Sequence, residues 1–177
     1  MLALVILGWY PFKVGERVPL LGGADFGVHE LGHLLMYPLP VGDFLTAFMG
    51  NGLQTLAALA ITLWFWFGRM DHLGAAVTAA WTASTMQDAS VYIADAPFER
   101  LQLWGNGQHD WAYLLGSRQL DVMDNAAGIA QAVKMASLLL WIGAVGVVLW
   151  EWRPRSPVKA LNHPTAAQPM VGKSVSP

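Results

Sequence analysis

The chain contains no cysteine, which excludes disulfides, thiolate nucleophiles and cysteine-based zinc sites. Charge is scarce as well. Only 12% of the 177 residues are Asp, Glu, Lys or Arg, against about 25% in soluble domains. Ten basic and twelve acidic residues leave a net charge of −2, so no footprint for a polyanion exists and no nucleic-acid partner is expected. What remains is apolar: 55% of residues are hydrophobic and the mean hydropathy is +0.41. The length suits one domain, and the composition points to a small membrane protein.

Three stretches are long enough to span a bilayer. Phe48–Phe67 is 20 residues without a charge, about 30 Å as a helix. Leu73–Ala94 is broken only by Gln87 and Asp88, and Ala126–Trp150 carries Lys134 alone. A fourth helix, Leu20–Tyr37, holds Asp25, His29, Glu30 and His33 and is bounded by Pro19 and by Pro38-Leu39-Pro40. Lipid would not tolerate its polar face, so its neighbours must shield it. Met1–Trp9 is apolar but short and has no basic flank before it, which argues against a signal peptide; partial insertion and a start lost from a longer helix both fit. Residues 153–177 contain five prolines and little apolar density and are expected to be a disordered tail. The expected fold is therefore all-α: a polytopic membrane bundle of about four embedded helices over residues 1–152.

The flanking charges suggest an orientation. With four crossings, Lys13, Arg17, Arg69, Arg153, Arg155, Lys159 and Lys173 fall on one side, and Arg100 and Arg118 on the other. Both termini are thus expected in the cytoplasm, as in a multi-pass protein of the cell inner membrane. Trp64, Trp66, Trp150 and Trp152 would then share the cytoplasmic interface.

His29-Glu30-Leu31-Gly32-His33 is an HExxH motif. Residues four apart share a helix face, so both imidazoles reach one zinc ion at about 2.0–2.1 Å. Glu30 is turned from them by roughly 100° and is placed to act as general base toward an attacking water. Composition alone would produce such a motif in under about 1% of chains, and burying it in a membrane helix is costly. Gly32 leaves room beside the ligands for a substrate backbone to approach. Zinc follows from the ligand types, although iron or cobalt suit the same donors.

The motif, with Gly50-Asn51-Gly52-Leu53-Gln54 opening the following apolar helix, resembles the intramembrane metalloproteases of the site-2 protease class (M50-like peptidases). The resemblance covers about 30 residues and implies a zinc peptidase with His29 and His33 as ligands and Glu30 as the catalytic base. In that class the third ligand is the Asp of an Asp-Gly pair on a later segment. This chain has no Asp-Gly dipeptide.

A catalytic zinc takes three protein ligands and keeps one position open. The third-ligand candidates are Asp88, Asp95, His109 and Asp110. Asp110 also reads as the N-cap of a short helix beginning at Trp111. The expected topology brings Asp88, Asp95 and the His109 loop to the depth of His33. His109 is favoured as third ligand, with Asp88 next as ligand or as an anchor behind it. Asp25, one turn before His29, either orients that ring or caps the helix. Gln54 faces the site or a packing seam, and Lys134 pairs with Asp95 or snorkels outward.

Two functions compete. The first is a zinc-dependent intramembrane hydrolase, most readily a peptidase, acting on a membrane-embedded peptide or protein. The second is a membrane metal-binding or complex-assembly protein that cuts nothing. The bilayer is the expected partner in both, and self-association is compatible with either.

Overall fold

A computed structural model describes residues 1–101 and 108–153. The glycine loop at 105–107 and the tail from 154 onward lie outside the described residues. All regular structure among them is helical: α1 (Leu2–Gly8), α2 (Leu21–Met36), α3 (Gly42–Leu63), α4 (His72–Asp95), α5 (Asp110–Leu115) and α6 (Ala126–Glu151). The four long helices appear within a few residues of where the sequence puts them, except that α3 starts six residues earlier, at Gly42.

The helix ends follow local chemistry. Asp71 caps α4 by accepting the Gly74 amide at 2.9 Å. α1 widens into a π-helical stretch, Trp9–Val14, that stops at left-handed Gly15. α3 widens likewise over Trp64–Gly68. Leu20, just before α2, holds φ at +66°, a conformation costly for a side chain of that size.

α4 is the central helix. It packs most extensively against α6 and also against α3 and α1, while α2 lies on α3. Its buried face is built of small residues, among them Ala75, Ala76, Ala79, Ala80 and Ala83, which let backbones come close. Two apolar clusters brace it. Leu4, Leu7 and Val18 meet Ala76, Ala80, Ala144 and Val148 at one level. Ile93, Ala96, Leu115, Ala126 and Ala130 meet at another.

Among the described residues, two helical stretches, Gly42–Gly68 and Met123–Glu151, are long and apolar enough to cross a membrane. α4 falls short of that measure because alanine, threonine and serine replace the larger aliphatics on its buried side. The start of α4 and the end of α6 share one end of the bundle. There His72 Nδ1 lies 2.7 Å from Glu151 Oε1, with the Trp66 and Trp150 rings at 4.8 and 5.9 Å from the imidazole.

Candidate metal centre

His29 and His33 project from successive turns of α2 toward α3. His33 Nδ1 lies 2.8 Å from the carbonyl oxygen of Thr46. A carbonyl only accepts, so the ring donates its Nδ1 proton there and turns Nε2 toward the other two side chains. That Nε2 is 3.2 Å from His29 Nε2. The third member comes from far along the chain. Asp110 Oδ2 is 3.2 Å from His29 Nε2 and 3.4 Å from His33 Nε2.

The close approach of α3 depends on glycine. A Cβ at Gly50 would come within 2.7 Å of His29 Nε2 and His33 Nε2. Gly32 serves packing too, because a side chain there would drive into the Met49 carbonyl. The space expected beside Gly32 for a substrate is therefore filled by α3.

Asp110 is the first residue of α5, and His109 is its cap. His109 Nδ1 accepts the Ala112 amide at 3.1 Å. Its ring is buried against Tyr92, centroids 4.1 Å apart, and its Nε2 points away from the two histidines to Asp95 Oδ2 at 3.4 Å. The geometry exchanges the roles expected of these two neighbours: His109 caps α5, and Asp110 lies with the histidines. Burial pushes the His109 imidazole below its ordinary range, which keeps it a neutral acceptor for the Ala112 amide. Burial pushes the Asp110 carboxyl up, but the hydrogen bonds to His29 and His33 outweigh it and hold the group below the usual range. The Asp110 amide donates to Tyr92 Oη at 3.1 Å, fixing α5 against α4.

Asp88 is the second candidate that the geometry places elsewhere. Its Oδ1 accepts Arg17 Nε at 2.7 Å, and its Oδ2 accepts Gln54 Nε2 at 3.4 Å. Gln54 in turn accepts from Asn51, whose Oδ1 takes the Trp111 indole N–H at 2.8 Å. One polar chain thus runs from Trp111 through Asn51, Gln54 and Asp88 to Arg17. Arg17 is drawn to the last third of α4, away from the end marked by His72, so it drops out of the tally of flanking charges. Asp95 accepts the amides of Arg100 and Leu101 and does not pair with Lys134, which is exposed. Asp25 neither orients His29 nor caps α2; its Oδ1 accepts the Trp81 indole N–H at 2.8 Å.

The cluster opens onto a cavity of about 600 Å³, lined also by Glu30, Tyr92, Asp25 and the Arg17–Asp88 pair. His29, His33 and Asp110 offer three ligand atoms within 4.8 Å of one another. Their separations of 3.2, 3.2 and 3.4 Å match the edge of a tetrahedron whose centre lies about 2.05 Å from each corner, roughly 3.3 Å. Two imidazoles and a carboxylate are also a donor set that zinc accepts. The fit holds in both spacing and chemistry.

Asp110 and Arg17 were the residues that sequence reasoning undervalued. For Asp110 a signal was available, since an HExxH pair is completed by a carboxylate in well-known zinc sites. For Arg17 there was none, because nothing local tells which distant carboxylate it will meet. No family model, no curated protein and no solved structure matches this chain.

Proposed function

We propose that the protein is a multi-pass membrane metallohydrolase, acting as a peptidase on membrane-embedded peptide segments, with zinc held by His29, His33 and Asp110. The observation that carries this reading is the convergence of those three ligand atoms at tetrahedral spacing, one of them delivered from 77 residues beyond the motif. When bound, the ion would supply Lewis acidity toward a carbonyl and lower the pKa of a coordinated water.

The chain's own groups divide the remaining work. Glu30 lines the same cavity and is the base that takes a proton from the attacking water and returns it to the leaving amine. Thr46 fixes the His33 ring through Nδ1. Tyr92 fixes the backbone of Asp110. The cavity lets water and a peptide backbone reach a site otherwise walled by α2, α3 and α4.

The membrane part of the proposal places α2, α3, α4 and α6 in the bilayer of a cell inner membrane, with both termini cytoplasmic. Its support is apolar surface turned outward. Only 17% of the most apolar window of α6 is buried, whereas the core helix of a soluble protein would be mostly covered. Leu139, Ile142 and Leu149 all stand more than half exposed. The tryptophans gathered around His72 suit an interface.

The deciding experiment is metal content by mass spectrometry on detergent-purified protein, beside Asp110→Ala. About one zinc per chain, lost in the variant, is expected. Cleavage of membrane-embedded peptides is then compared with Glu30→Gln. Metal retained by both proteins, with no cleavage by either, would leave a metal-binding protein without hydrolase activity.

A further inference from the structure

Two of the carboxylates that line the cavity have their charge answered by direct contact. Asp110 faces two imidazoles, and Asp88 holds the guanidinium of Arg17. Asp25 touches neither, and the charge of Arg17 reaches it only at a distance, against that of Asp88. Asp25 is only 6% exposed, yet its one hydrogen bond among the described residues is the neutral indole N–H of Trp81 on Oδ1. Oδ2 is left without a partner on the wall of the cavity. A carboxylate so enclosed is costly until a cation or further donors reach it.

The surroundings favour a cation. Among the described residues, six acidic side chains line the cavity (Glu16, Asp25, Glu30, Asp43, Asp88 and Asp110) against one basic residue, Arg17, already paired with Asp88. A concave site lined by one sign of charge concentrates ligands of the other. Position matters equally. Asp25 stands four residues before His29, on the same face of α2, with Cβ atoms about 6 Å apart. That interval suits an ammonium on the residue whose carbonyl is presented to the His29–His33–Asp110 cluster. The four-carbon stem of a lysine spans it, and so does a short step back to a free amino terminus.

We propose that Asp25 is the receptor of a substrate ammonium group, making the cavity selective for peptide segments that carry an amine beside the bond presented to the metal cluster. The inference rests on the metal-centre reading above and adds the substrate class to it. Trp81 holds Oδ1 and so leaves Oδ2 for the incoming amine.

The test uses the full-length, zinc-loaded protein and four amino-acid hydroxamates, whose shared hydroxamate group seeks the metal. Nα-acetyl-norleucine hydroxamate has no ammonium and is the reference. Nα-acetyl-lysine hydroxamate adds one on the side chain, norleucine hydroxamate adds one at the α-position, and lysine hydroxamate has both. At least one singly charged compound should bind about tenfold tighter than the reference, and that advantage should collapse toward unity in Asp25→Asn. The compound that gains identifies the source of the amine. Equal binding of all four, or an advantage that survives Asp25→Asn, overturns the subsite while leaving the metal centre intact. Failure of every hydroxamate to bind, with no zinc retained, overturns both readings together. Asp25→Asn keeps an oxygen for the Trp81 indole. Asp25→Ser provides a second variant, and measured zinc content shows that the cluster has formed in each.

Discussion

His29 Nε2 and Asp110 Oδ2 stand 3.2 Å apart although 81 residues separate them in the chain. The contact joins the middle of α2 to the first residue of α5. It exists because three independent devices converge on it. Gly50 lets α3 back the imidazoles, His109 starts α5 one residue before the carboxylate, and Tyr92 pins the Asp110 amide. Removing any one of them should loosen the cluster without removing a ligand.

The neighbours at 109 and 110 give the sharpest separation of roles. Asp110→Ala should weaken zinc binding by more than roughly 100-fold. His109→Asn should keep about one zinc per chain, because asparagine is itself a good N-cap for α5. Metal analysis after dialysis against a mild chelator reads both, and loss in His109→Asn with retention in Asp110→Ala would reverse the assignment.

Glu30→Gln keeps size and hydrogen bonding but removes the base. Zinc content should be unaffected, and any peptide hydrolysis should fall by about 10²–10⁴-fold. A variant that cleaves at the wild-type rate would take Glu30 out of the mechanism.

Gly50→Ala adds one methyl group where Nε2 atoms of both histidines stand. α3 must move back or the rings must turn, at a cost of about 1–3 kcal/mol. The expected result is lower zinc affinity with helical content retained by circular dichroism. Unchanged affinity would show that α3 is not what sets the ring positions.

Acid should strip the metal. Histidines must be neutral to ligate, so protons compete with zinc and retention falls as pH falls. Asp110 is held below the usual carboxylate range by its two histidine partners, so it stays ionised as mild acid is added. Zinc retention should therefore decline as the pH falls below neutrality, before carboxylates protonate. A midpoint near about pH 4 would instead point to carboxylate control.

The helices were legible in the sequence because apolar runs and their breakers are local signals. Pro38-Leu39-Pro40 ends α2, and the charge-free run from Phe48 fills α3. The metal motif was legible for the same reason, since His29 and His33 need only a helix to face one way. The third member was not, because it depends on how α5 docks. Choosing between His109 and Asp110 turns on one residue of helix phase: the side chain before the helix folds back on the α5 amides, and the one after it points outward. Arg17 escaped for a larger reason. It follows a left-handed turn at Gly15, and no local pattern shows that such a turn delivers it to Asp88.

The small-residue face of α4 has a consequence for how the protein is made. The stretches containing α3 and α6 are long and apolar enough to cross a membrane, and α4 falls short of that measure. In the membrane reading, a nascent chain ending before residue 126 would hold α4 without the surface that covers Ala76, Ala80 and Ile93. The candidate metal centre, whose three side chains are all synthesised by residue 110, would then wait for the last helix, because α4, one of its walls, meets its main packing partner only there. Maturation of the site would be a late event, timed by the arrival of α6 and not by the completion of the ligand set.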